Sequence, residues 1–91
     1  MADATMQGRS ADADTFWAGE GVWWDWGDGV WMIRPPCGHH FLIGGDSSGH
    51  EVDDNGDGTI TVESKPGNSN SILCPRCGWH GYIDNGVWRS A

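Results

Sequence analysis

From residue 16 onward the apolar positions come in short runs broken by glycine and acidic residues, with no sustained helical spacing. In "FWAGEGVWWDWGDGVWMIRPP" (16–36), Trp24 and Trp26 alternate with Asp25, Gly27-Asp28-Gly29 supplies a turn, and Val30, Trp31, Met32 and Ile33 follow. β-favouring residues on both sides of a Gly/Asp turn predict a hairpin. A second hairpin is predicted in "HEVDDNGDGTITVES" (50–64), where Thr59 to Val62 have strand composition. A third lies in "GYIDNGVW" (81–88), whose Asn85-Gly86 pair fits a two-residue type I′ turn. The expected fold is a small all-β domain of hairpins with little or no helix. Residues 1–15, "MADATMQGRSADADT", are small, polar and acidic, and are expected to form a flexible arm. Residues 16–91 are expected to be a single tryptophan-rich β domain.

Composition adds a reason to look for a staple. Among 91 residues the hydrophobic share is 37%, with seven tryptophans carrying much of it and fifteen glycines favouring turns. A chain this short buries a modest fraction of its surface and often depends on a metal, disulfides or a partner. So small a domain can hardly bury every tryptophan. About half are expected in the core and the rest on an interaction face.

The chemistry gathers in two similar segments. Laying "RPPCGHHFLI" (34–43) over "CPRCGWHGYI" (74–83) matches Pro35 with Pro75, Cys37 with Cys77, Gly38 with Gly78, His40 with His80 and Ile43 with Ile83. Arg34 falls on Cys74, and Trp79 falls opposite His39. Each half reads P-x-C-G-x-H followed by the start of an apolar strand. Two such turn-plus-strand units facing one another would assemble a metal site.

Zinc takes four nitrogen or sulfur donors in a tetrahedron, and tight turns supply them in pairs. The candidate ligands are Cys37, His40, Cys74, Cys77 and His80. Three quartets fit: Cys37, His40, Cys77 and His80; Cys37, His40, Cys74 and Cys77, as in a zinc ribbon; or Cys37, His39, Cys77 and His80. Cys37 and Cys77 belong to all three. One structural Zn2+ is the expected cofactor. No nucleophile–base pair is visible, so no enzymatic activity is expected. The third quartet resembles the ligand spacing of Rieske proteins, which implies a [2Fe–2S] electron carrier as the alternative.

Charge narrows the partners. Thirteen acidic against five basic residues give a net charge of −8, and the basic ones are scattered, so nucleic acid is disfavoured. Three cysteines is an odd number for a disulfide framework, residues 1–15 lack the apolar run of a signal peptide, and no stretch approaches transmembrane length. A reducing, intracellular setting without membrane contact is expected. "DDNGDGTITVES" begins like a calcium loop at Asp53, Asn55 and Asp57, but Ser64 stands where the bidentate glutamate belongs. A solvated hairpin turn accounts for it better.

Residues 30–89 resemble a family of small domains of unknown function common in bacteriophage and bacterial genomes. The resemblance rests on Cys37 to His40, the "TITVES" strand, Cys77 to His80, and the hairpin from Tyr82 to Trp88. It implies a zinc-stabilised β fold with Cys77 and His80 as ligands. It also implies a minor virion or accessory protein, located in the host cytoplasm or the virion. Its partners would then be capsid or tail proteins or a second copy. Many members have C-x-C in the first box where this chain has "CGHH", which leaves the second ligand of that half open.

Overall fold

Two left-handed residues close each of two predicted turns: Asp28 and Gly29 at φ 57° and 77°, Asn85 and Gly86 at φ 48° and 80°. This is the type I′ geometry whose twist matches paired strands. The computed structural model describes residues 5–12, 14–45, 49–76 and 78–91. Over them it runs β1 (Thr5–Gln7), β2 (Arg9–Ser10), β3 (Val22–Gly27), β4 (Val30–Arg34), β5 (Phe41–Gly44), β6 (His50–Asp54), β7 (Ile60–Ser64), β8 (Ile72–Leu73), β9 (His80–Asp84) and β10 (Val87–Ser90). Among the described residues the single helical element is a 3-10 turn at Phe16–Ala18, and no helix is long and apolar enough to cross a membrane. The fold is all-β, built on the three expected hairpins, β3–β4, β6–β7 and β9–β10.

The strands form two four-stranded sheets, ordered β2-β3-β4-β5 and β1-β10-β9-β8, and a two-stranded ribbon of β6 and β7. Each contributes alternate residues to one core: Trp23, Ile33 and Ile43 from the first sheet, Ile60 and Val62 from the ribbon, and Ile72, Ile83 and Trp88 from the second. Period-two alternation is what brings them to one side. Trp23 lies 6.3 Å from Trp88, and Trp88 meets Trp79 edge-on at 5.6 Å. The Trp23 indole also donates to the Gly58 carbonyl at 3.1 Å, tying the ribbon's turn to the first sheet. The first sheet buries part of its other face as well, where Phe16 covers Val22 and Met32.

The ribbon's connection is a turn held by its own side chains. Asp54 accepts from the Gly56 amide at 2.9 Å, Asp57 from the Thr59 amide at 3.0 Å, and Asn55 donates to Thr59 Oγ1 at 3.0 Å. Two of the side chains that suggested calcium, Asn55 and Asp57, thus serve the hairpin turn.

The N-terminal segment corrects one expectation. Thr5–Gln7 pairs antiparallel with β10, and Arg9–Ser10 then pairs parallel with β3, so residues 5–10 of the expected arm bridge the two sheets, while residues 1–4 and 13 lie outside the described residues. Polar composition hid this, because apart from Met6, which packs against the core, the segment docks through its backbone. The amide of Gly8 donates to the Gly86 carbonyl at 2.8 Å, and Gly8 packs where any side chain would strike Trp23 and Trp88.

Candidate metal centre

The first half-site begins where β4 ends. Gly38 donates to the Pro35 carbonyl at 2.8 Å, closing a turn that carries Cys37, and Gly38 is left-handed at φ 83°. Arg34 braces this turn. Its Nε donates to the Gly38 carbonyl at 2.9 Å, and its Nη1 donates to the carbonyls of Trp17, at 2.9 Å, and Gly19. The guanidinium therefore ties the Cys37 turn to the Phe16–Ala18 turn.

The second half-site follows β8. Cys74 is buried; its amide donates to the Trp79 carbonyl at 2.7 Å, and its carbonyl accepts from Gly78 at 3.1 Å. Gly78 is left-handed at φ 78°, matching Gly38. Ile43 and Ile83, paired by the sequence repeat, are both buried in the shared core. The two halves are thus similar turn-plus-strand units facing one another.

Between them lie Cys37, His39 and Cys74, whose donor atoms all fall within 4.8 Å of one another. Donors around one tetrahedral zinc stand about 3.5–3.8 Å apart, so small side-chain movements would bring the three onto one ion. A second observation concerns the same histidine. His39 Nδ1 is buried and has no hydrogen-bond partner among the described residues. An orphaned buried donor or acceptor costs about 1–3 kcal/mol, and one arises here in the ring that joins two thiols. A soft N/S donor set with an unsatisfied imidazole fits a transition-metal ion such as zinc.

The predicted ligands divide. Cys37 and Cys74 come together. Cys77 lies outside the described residues. His40 and His80 are not in the group. His40 meets the edge of Trp17 at 4.6 Å, and His80 is exposed on β9, 6.4 Å from the Tyr82 ring. Strand parity explains the exchange of His40 for His39. Phe41 and Ile43 face the core, and the alternation carried back through Phe41 turns His39 inward and His40 outward. In β9 the inward positions are Gly81 and Ile83, which sets His80 outward and Trp79 inward against the core. The residue opposite His39 in the repeat is therefore a tryptophan that packs, not a second ligand of this group. That parity was available in the sequence.

Comparison of the chain with protein-family models, with curated proteins and with solved structures finds no match, so the reading of the centre rests on its own donors and their surroundings.

Proposed function

We propose that this chain is a small β module stapled by one zinc ion, and that it acts through contact with another protein. The observation that carries the proposal is the convergence of Cys37, His39 and Cys74 from two different sheets onto one spot. Cys77 is the fourth ligand, supplied by the C-x2-C spacing that starts at Cys74. Four protein ligands complete the tetrahedron and leave no position for a reacting water, which is the arrangement of a structural zinc. Bound there, zinc would supply folding energy, because the ligands are gathered only in the folded chain. Arg34 holds the Cys37 turn in place for it.

A role in protein contact is supported by what the small core leaves outside. Trp17 and Trp26 remain half exposed, and tryptophan is favoured at the centres of interfaces. The resemblance to a domain family of phage and bacterial genomes supports a place as a minor virion or accessory protein.

Elemental analysis of the purified chain tests the staple. The expected result is about one zinc per chain, a colourless protein, and a melting temperature that falls when a chelator removes the metal. A visible iron–sulfur absorption band, or a metal-free chain with unchanged melting, would overturn it.

A further inference from the structure

The outer face of the β2-β3-β4-β5 sheet is covered only in part. Trp24, Met32 and Leu42 stand opposite one another in adjacent strands, forming one row across β3, β4 and β5. The Phe16–Ala18 turn buries Met32 and Val22 and stops there. Beyond it Trp26 is 53% exposed and Leu42 49%, and Trp17 of the turn itself is 50% exposed; these are three of the four large apolar side chains exposed among the described residues. Rings touch along this face in sequence: His40 with Trp17 at 4.6 Å, Trp17 with Phe16 at 5.0 Å, Phe16 with Trp24 at 6.1 Å, and Trp24 with Trp26 at 5.4 Å. Contacts of this kind hold the exposed rings in fixed positions, which lowers the entropy lost when a partner settles on them.

Charge says which partner. Residues 11–33, which contribute most of this face, carry Asp12, Asp14, Glu20, Asp25 and Asp28 and no lysine, arginine or histidine. Asp28 closes the β3–β4 tip beside Trp26 and is exposed, whereas Asp25, paired with Trp31, lies toward the ribbon. Arg34, the cation at the end of β4, is committed to the carbonyls of Trp17, Gly19 and Gly38. The depression behind Trp17 is lined by Arg9 and Arg34 beside Glu20, so the two arginines nearest this face lie on the Trp17 side and the Trp24–Trp26 side has none. A second copy would bring the same acidic rim against itself. Arginine is the side chain that both pairs with carboxylates and stacks on indole.

We infer that this face docks a cationic segment of a partner protein, one in which arginines alternate with apolar residues, with Trp26 and Leu42 as anchors and Asp28 as a charge partner. The inference deepens the protein-contact reading above and rests on it, but not on the metal. The test is titration of the purified, metal-loaded chain with a synthetic peptide alternating arginine and leucine, followed by tryptophan emission. A glutamate-for-arginine peptide is the control. The expected result is a saturable change with the arginine peptide that weakens as salt rises, is absent with the control, and loses at least tenfold in affinity in Trp26→Ala and in Leu42→Ala. Both positions are exposed, and unchanged melting will show that the variants fold. No response up to millimolar peptide, an equal response to the control, or binding indifferent to both substitutions would overturn the inference. Self-association by sedimentation that disappears in Trp26→Ala would assign the face to a second copy: the cationic partner would fall and the protein-contact reading would stand. A strict monomer that ignores the peptide would retire both.

Discussion

The donor atoms of Cys37 and Cys74 lie within 4.8 Å of each other, although Cys37 follows β4 in one four-stranded sheet and Cys74 follows β8 in the other. An ion held by both would lock the sheets together at a point where no strand is shared. The backbone around each cysteine is already closed by hydrogen bonds from Gly38 and Gly78. The site is therefore poised by the fold, and a metal would add the cross-link.

The two adjacent histidines provide the sharpest test of that site. His39→Ala and Cys74→Ala are expected to reduce bound zinc from about one per chain to near zero. Loss of a structural metal from a domain of this size should cost at least about 3 kcal/mol, a fall of about 12–24 °C in melting temperature. His40→Ala, which removes a ring contact with Trp17, should keep its zinc. Metal analysis beside thermal melting decides it, and equal metal loss in the two histidine variants would refute the assignment.

Arg34 is expected to act on the metal without touching it. Its Nε holds the Gly38 carbonyl at 2.9 Å, one residue past Cys37. Removing groups that orient metal ligands typically weakens binding about 10–100-fold. Arg34→Met keeps most of the side-chain length and loses all three carbonyl contacts. Competition with a chromogenic chelator should show zinc affinity falling within that range in a chain that still folds. Arg34→Lys should recover little of it, because one ammonium cannot reproduce the guanidinium fork.

The hairpins were readable because their information is local. Asp28-Gly29 and Asn85-Gly86 encode their turns, and alternation encodes which of Trp23, Trp24, Ile33 and Ile83 face inward. β1 and β2 were not readable. Thr5 pairs with Arg89 at the far end of the chain, and nothing in a polar hexapeptide announces a partner so distant. The site was readable as a set of donors but not as a selection among them. The repeat drew attention to His40 and His80, which are equivalent because both face away from the core. His39 was separable from His40 only by carrying the strand's alternation back through Phe41.

Acidic repulsion on the ribbon should appear in the pH dependence of stability. Glu51 and Glu63 are directly opposite in β6 and β7, and Asp53 is the diagonal neighbour of Glu63. The charge of Asp53, then its hydrogen bond with the Glu63 carboxyl, with smaller contributions from Glu51 and Asp84, raise the Glu63 pKa above its ordinary 4.5. A carboxyl whose pKa is higher folded than unfolded contributes stability that is complete below the unfolded value and is lost as pH rises through the folded one. At neutral pH Glu63 is thus a small liability. Glu63→Gln should melt a few degrees higher than the parent at pH 7 and low salt, with the gap closing below about pH 4 and shrinking in high salt. A gap that persists unchanged in acid would point to a cause other than charge.

Gly8 is expected to be the least replaceable residue of the N-terminal segment. It sits where the chain passes from one sheet to the other, and a Cβ added there would lie 2.7 Å from Trp88 Nε1 and closer still to the Trp23 ring. Both indoles are fully buried and belong to the shared core, so neither can swing aside without opening it. The cost has nothing to do with glycine's backbone freedom, since Gly8 is not among the left-handed glycines. It is overpacking, which typically costs about 1–3 kcal/mol. Gly8→Ala should therefore lower the melting temperature by about 4–24 °C, while Gly67→Ala, whose added Cβ meets nothing within 4 Å, isolates the smaller strain of a left-handed alanine. Thermal melts of the two variants at equal metal loading separate the effects, and a Gly8→Ala chain as stable as the parent would show that residues 5–10 do not dock as described.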